Sequence, residues 1–117
     1  MSYKLHQLDF SVPSMQVFES IKNEDWSIFL NSNNKDYPDQ RFDILSAKPK
    51  KKIIFSDDNT YLINGDQQPK KSELCPFELL KKIMSEYESN SNPEIPFSGG
   101  AIGYISYDYG NHLHNIK

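Results

Sequence analysis

The chain of 117 residues is long enough for one domain, residues 1–117, and its content of 37% apolar and 13% aromatic residues is typical of a globular protein. A net charge of −3 provides no overall positive field, which argues against nucleic acid and against an anionic membrane as partners. The single cysteine, Cys75, excludes an internal disulfide. No stretch resembles a signal peptide or reaches the ~20 apolar residues that span a bilayer, so we expect a cytoplasmic protein.

The N-terminal part is predicted to form a weak first strand, a helix and two further strands. Residues 11–23 favour the helix, because Pro13 and Ser14 suit its start and three apolar residues fall on one face at helical spacing, namely Val17, Phe18 and Ile21. Residues 26–32 and 41–47 are β-rich and lie on either side of the turn-forming segment 33–40, so we predict two strands there.

The middle of the chain predicts a β-hairpin followed by a turn. Residues 51–56 and 60–64 are rich in β-branched and aromatic side chains, and Asp57, Asp58 and Asn59 separate them. Asn64 and Gly65 form the next turn signal. A run of lysines extends into the start of the hairpin: Lys48, Lys50, Lys51 and Lys52. We interpret it as a solvated strand edge that discourages pairing between molecules, rather than as a phosphate-binding patch.

The C-terminal part predicts a second helix and a last strand. Pro76 suits the start of a helix over residues 75–89, which carries one apolar stripe: Phe77, Leu80, Ile83, Met84 and Tyr87. Residues 101–107 are apolar on both faces, which predicts an interior strand, with Gly99 and Gly100 supplying positive φ at its start and Gly103 allowing close approach by another group. The order of elements indicates an α+β fold with a largely antiparallel sheet and two helices.

Three kinds of site are disfavoured by the spacing of their candidate residues. The segment Gly-Gly-x-x-Gly at residues 99–103 matches neither the Walker loop nor the dinucleotide fingerprint. His6 lies far from His112 and His114, which makes a metal site improbable on spacing. Cys75 has no histidine nearby in the sequence to activate it as a nucleophile.

Two segments carry a family resemblance. The stretch PFSGGAIGYISYDYG, residues 96–110, and the stretch WSIFLNSNNKDYPDQRFDIL, residues 26–45, resemble two signatures of the chorismate-utilising synthases. These are component I of aminodeoxychorismate (para-aminobenzoate) synthase and component I of anthranilate synthase. The RFDIL and YDYG sequences are more similar to the aminobenzoate branch. The resemblance implies an N-terminal part of a two-sheet α/β sandwich, which the rest of a longer component I polypeptide would complete.

The resemblance also implies a function. The parent enzyme would convert chorismate, with ammonia from a glutamine amidotransferase subunit, into 4-amino-4-deoxychorismate for folate biosynthesis. The catalytic residues and the glutamates that bind magnesium lie in later segments of the family, so it implies no catalytic residue, no metal and no cofactor in this chain, which we expect to be inactive alone. The alternatives are a fragment of anthranilate synthase component I, from tryptophan biosynthesis, and a stand-alone amino-acid-binding or interaction module. A homodimer through the uncovered sheet face is a further alternative.

The same family has a tryptophan pocket in its N-terminal region, used for feedback inhibition or held as a structural ligand. The matching positions in this chain are Leu30, Ser32, Arg41 and Phe42, with Asp39 and Gln40 beside them. A serine hydroxyl and strand-edge backbone groups can bind the ammonium and carboxylate of an amino acid, while leucine and phenylalanine cover an indole. For Arg41, an ion pair with Asp43 or Asp36 is the competing interpretation.

Overall fold

The computed structural model describes residues 6–7, 12–31, 42–87, 97 and 99–110. Within these ranges the elements are α1 (Ser14–Glu19), β1 (Ile28–Asn31), β2 (Asp43–Ser46), β3 (Lys51–Ser56), β4 (Asn59–Asn64), β5 (Lys70–Ser72) and α2 (Pro76–Ser85). Two helices and two antiparallel sheets in this part of the chain confirm the α+β prediction. The single-domain assignment and the two-sheet sandwich remain predictions.

The chain divides into two compact units. The first comprises Met1–Lys51 and Asn90–Ser98, and the second comprises Lys52–Ser89 and Gly99–Lys117. The first unit contains α1 and the β1–β2 ribbon, and the second contains α2 and nearly all of the three-stranded sheet.

In the first unit, β1 and β2 form an antiparallel ribbon to which α1 is attached by an aromatic contact. Ile28 lies opposite Ser46, and Asn31 lies opposite Asp43. The Phe18 ring on α1 stacks on the Phe29 ring of β1 with centroids 5.4 Å apart, so the face of the ribbon that carries Phe29 is the one that contacts the helix.

Helix α1 is shorter than the sequence predicts. It begins at Ser14 after Pro13, as predicted, but it ends at Glu19 instead of residue 23. The backbone N–H groups of Ser20 and Ile21 donate to carbonyls three residues back, and the Ser20 hydroxyl donates to the Val17 carbonyl oxygen at 2.6 Å. These short-range bonds tighten the final turn, and the chain continues in turns up to Trp26, which has a φ of 51° and lies outside β1.

The three-stranded sheet of β3, β4 and β5 confirms the predicted hairpin. The two-residue turn at Asp57 and Asp58 has φ of 52° and 63°, which is the positive-φ pair of a type I′ turn, and the Asn59 side chain donates to the Asp57 carbonyl oxygen at 3.0 Å. Gly65, with φ of 56°, confirms the turn signal after β4. Strand β5 is not predicted from the sequence, because Lys-Lys-Ser has little strand propensity of its own and forms a strand by pairing with β4.

The lysine run lies beside an edge strand, as predicted. In the described part of the chain β3 is at one end of the strand order, and it carries Lys51 and Lys52. Lys48 precedes it, with its ammonium 3.3 Å from the Glu24 carboxylate. Its backbone N–H donates to the Asp25 carbonyl oxygen at 2.8 Å. Charged side chains at such an edge discourage pairing with another sheet.

Helix α2 follows its predicted start, but its buried residues differ from the predicted stripe. Pro76 occupies the first turn and Cys75 is the half-buried N-cap residue, without a side-chain capping bond. Leu79 and Ile83 are the buried side chains of the helix, whereas Phe77 and Met84, both assigned to the stripe, are 45% and 39% exposed. The buried side of the helix therefore differs from the predicted stripe by a fraction of a turn, since it includes Leu79, which the predicted stripe lacks.

The prediction of an interior strand over residues 101–107 is wrong for this chain. Residues 101–106 form no strand, Tyr104 is 93% exposed and Tyr107 is 97% exposed. A side chain placed at Gly103 would have nothing within 4 Å, so the close approach expected there is also wrong. The positive φ values of Gly99 and Gly100 are confirmed. The segment has the composition of a buried strand, but only Ile102 among residues 101–107 is half-buried, and the other six are exposed.

Candidate functional site

Two residues of the predicted tryptophan-type pocket lie on the same face of the β1–β2 ribbon. Leu30 is directly opposite Ile44, and Phe42 is two residues before Ile44, so strand alternation places all three on one face. Diagonal neighbours of this kind are roughly 7–8 Å apart, within reach of one planar ligand. Leu30 is 47% exposed and Phe42 is 49% exposed, so both offer apolar surface to an occupant.

The polar residues of the predicted pocket lie outside the described residues. Ser32 and Arg41 belong to this group, as do Asp39 and Gln40. The ammonium and carboxylate contacts assigned to them, and the competing pairing of Arg41, therefore remain predictions. The described structure brings together the two apolar members of the set.

An open cleft of about 410 Å³ lies on the other face of the ribbon and was not identified from the sequence. Its lining consists of the start of α1 and the face of the ribbon opposite Leu30: Val12, Pro13, Ser14, Met15, Phe29, Asn31 and Asp43. Asn31 and Asp43 both take part in interactions within the chain. The register pair Asn31–Asp43 is the feature that could have indicated a polar patch here, but only once the register of the strands is known.

In the second unit, Tyr109 links the last described segment to the sheet and to α2. Its ring meets the Phe55 ring edge-on at 5.2 Å and the Phe77 ring at 5.7 Å. Only 8% of Tyr109 is exposed. Burial raises the pKa of the Tyr109 hydroxyl above its ordinary value of 10.0, and the charge of a Cys75 thiolate raises it further. The phenol is therefore neutral at physiological pH and acts as a packing group.

The described residues contain no group of three or more histidine, cysteine, aspartate or glutamate side chains placed to hold a metal ion. His112 and His114 lie outside the described residues. Among the described residues, no helix combines the length and apolar character needed to cross a bilayer.

The chain is similar to several curated synthases. It is 25% identical over 101 residues to aminodeoxychorismate synthase component 1 of Escherichia coli (strain K12), which covers 85% of this chain and 22% of that protein. It is 31% identical over 86 residues to anthranilate synthase component 1 of Lactococcus lactis subsp. lactis (strain IL1403), covering 69% of this chain and 17% of that protein. It is 33% identical over 78 residues to aminodeoxychorismate synthase component 1 of Bacillus subtilis (strain 168), covering 66% of this chain and 16% of that protein. The chain is related to these component 1 synthases.

The similarity to the component 1 synthases is a similarity of sequence, and it extends over only part of their length. The chain spans about a fifth of the curated relatives it matches, with coverage between 16% and 22% in the three cases above. No protein-family model matches the chain, and no solved structure matches it. The predicted relationship to the component 1 synthases is thus confirmed, although the interior position expected for residues 101–107 is not seen in this chain.

Proposed function

We propose that this chain is the N-terminal, non-catalytic part of an aminodeoxychorismate synthase component 1 in the cytoplasm, and that it contributes scaffold and half of a tryptophan-type pocket. The complete enzyme would convert chorismate and ammonia into 4-amino-4-deoxychorismate, an intermediate of folate biosynthesis, with a glutamine amidotransferase subunit as the ammonia source. Catalytic groups and magnesium ligands would come from the rest of component 1. This chain would have no synthase activity by itself.

The observation that carries the proposal is the similarity to component 1 of aminodeoxychorismate synthase, which extends over 85% of the chain. Anthranilate synthase component 1 is also among the relatives, so overall sequence similarity is compatible with either enzyme. The RFDIL and YDYG sequences favour aminodeoxychorismate synthase. Exposure of Leu30 and Phe42 on one face supports the half-pocket, because two apolar side chains on the same face could cover an indole.

The synthase assignment can be tested through the reading frame that encodes the chain. If the frame continues past Lys117 into a chorismate-binding segment, the encoded protein is expressed in full and incubated with chorismate, ammonia and magnesium. We expect 4-amino-4-deoxychorismate, detected by chromatography. Anthranilate would assign the chain to the sister enzyme, and a stop codon without a neighbouring chorismate-binding frame would support the stand-alone binding module.

The pocket can be tested on the chain itself by calorimetry with L-tryptophan. We expect weak binding by the unmodified chain, and about tenfold weaker binding by Phe42→Ala, because the ring that covers the indole is removed. Met15→Ala removes an apolar side chain that lines the cleft on the other ribbon face, and it serves as the matched control. An absence of binding heat at millimolar tryptophan would contradict a working half-pocket. An equal loss of tryptophan affinity in both variants would mean that the ligand does not bind on the face that carries Leu30 and Phe42.

A further inference from the structure

The turn that follows β4 carries the only asparagine–glycine pair in the sequence, Asn64 and Gly65. Asn64 is the last residue of β4 and lies two positions beyond the last register pair between β4 and β5, which is Leu62 with Lys70. The Gln67 N–H donates to the Asn64 carbonyl oxygen at 3.0 Å and closes the turn, with Gly65 at a φ of 56°. Glycine adopts this conformation without steric cost, so the backbone at this end of the strand can change conformation readily.

The backbone amide of Gly65 is open to reaction with the Asn64 side chain. Gly65 is exposed, and a side chain placed there would have nothing within 4 Å. Its N–H makes no hydrogen bond with another described residue, since the bond that closes the turn comes from Gln67. The Asn64 carboxamide likewise has no hydrogen-bond partner within the described ranges. The fold therefore restrains neither of the two groups that react when an asparagine deamidates.

Asn59, at the other end of β4, has neither of these properties. Its side-chain amide donates to the Asp57 carbonyl oxygen at 3.0 Å, which fixes the carboxamide. The next residue is Thr60, which is β-branched and only 3% exposed, so the backbone nitrogen after Asn59 is crowded and shielded from water. Both asparagines are half-buried, and they differ in the residue that follows and in the bonding of the side chain. The two ends of one strand thus provide a reactive position and a matched unreactive one.

We propose that Asn64 is a site of spontaneous deamidation, with the Gly65 nitrogen as the internal nucleophile. The Gly65 nitrogen gives its proton to solvent and bonds to the Asn64 Cγ, the Cγ–Nδ2 bond breaks, and the leaving nitrogen takes up a proton and departs as ammonia. One water molecule then opens the cyclic succinimide: cleavage of the new Cγ–N bond gives aspartate, and cleavage of the original main-chain bond gives isoaspartate. The net reaction consumes one water and releases one ammonia. Either product adds a negative charge to a chain whose net charge is −3, and isoaspartate also lengthens the main chain ahead of β5. The inference does not depend on the synthase assignment.

The experiment incubates the folded chain at physiological temperature and pH and follows residues 59 and 64 by mass spectrometry with peptide fragmentation. We expect residue 64 to convert at least about tenfold faster than residue 59, into a mixture of aspartate and isoaspartate. Asn64→Gln retains a carboxamide, but its longer side chain cannot close the same ring, so the conversion at this position should disappear. Asn59→Gln, the matched control at the other end of β4, should leave the conversion of Asn64 unchanged.

The same incubation in urea, where the chain is unfolded, separates the effect of the folded turn from that of the sequence. We expect Asn64 in the folded chain to convert within about tenfold of its rate in urea, because the end of β4 opens at little cost in free energy. Conversion in urea alone would overturn the proposal, since the folded turn would then protect the pair. Equal rates at residues 59 and 64 of the folded chain would overturn it as well. So would aspartate without isoaspartate, because that product indicates direct hydrolysis by water and no attack by Gly65.

Discussion

The β3–β4 hairpin and the segment Ala101–Tyr107 have similar compositions and different surroundings. Both are rich in β-branched and aromatic residues, yet the side chains of the two hairpin strands are half-buried or buried except for Ser56, whereas Tyr104 and Tyr107 are almost fully exposed. The hairpin has a turn that returns the chain to its own partner strand, and the next strand, β5, pairs with β4 on its other side. Residues 101–107 have no such neighbour in sequence. Strand composition thus specifies burial only where a partner is within reach of the chain.

The strongest test of this difference is to replace, one at a time, the two tyrosines that flank Asp108. Tyr109→Ala should lower the free energy of unfolding by about 3–5 kcal/mol, because the buried ring and its contacts with Phe55 and Phe77 are lost. Tyr107→Ala should change it by less than about 0.5 kcal/mol, because that ring is 97% exposed. Urea unfolding at a concentration low enough to exclude self-association measures both values.

Equal losses for the two substitutions would contradict the structural difference between them. A small loss for Tyr109→Ala would mean that the last segment is not anchored to the sheet. A large loss for Tyr107→Ala in the monomer would mean that residues 101–107 are packed after all, as the sequence analysis expected.

Local signals account for most of what the sequence predicts correctly. The bounds of β3 and the hairpin turn follow from adjacent residues, and the start of α2 follows from Pro76. The same reasoning fails for β5, whose Lys-Lys-Ser sequence is a strand only because β4 lies beside it. It also fails for Leu79, since which side of a helix faces the sheet is decided by tertiary packing as well as by the spacing of apolar residues.

The candidate site was likewise predicted only in part. Leu30 and Phe42 were identified from the resemblance, and the register of β1 and β2 places them on one face. The cleft beside α1 could not be predicted, because its lining combines a helix start with two strands and depends on a register that no local pattern specifies.

A smaller change tests whether the hairpin is stabilised by its own turn. Asp57 has a φ of 52°, a conformation that glycine adopts without steric cost. Asp57→Gly should therefore raise the free energy of unfolding by about 0.5 kcal/mol, since type I′ turns accept glycine at both central positions. Ser56→Gly, placed in β3, should lower it by a similar amount, because glycine in a strand interior loses backbone entropy on folding. Thermal unfolding of both variants gives the comparison, and a destabilised Asp57→Gly would contradict the turn geometry.

The smallest expected effect concerns pH and the buried Tyr109 hydroxyl. Because burial, and secondarily the Cys75 charge, raises the Tyr109 pKa above 10.0, the folded state holds the phenolic proton more tightly than the unfolded state does. Below pH 10.0 both states are protonated and this stabilising contribution is fully present. It is lost as the pH rises from 10.0 through the pKa of the folded state, because the unfolded chain releases the proton first. Tyr109→Phe should therefore unfold with a flatter pH dependence in alkaline solution than the unmodified chain. Identical slopes for the two proteins would show that the Tyr109 hydroxyl reaches water, and would place the boundary between the packed and exposed parts of this segment before residue 109.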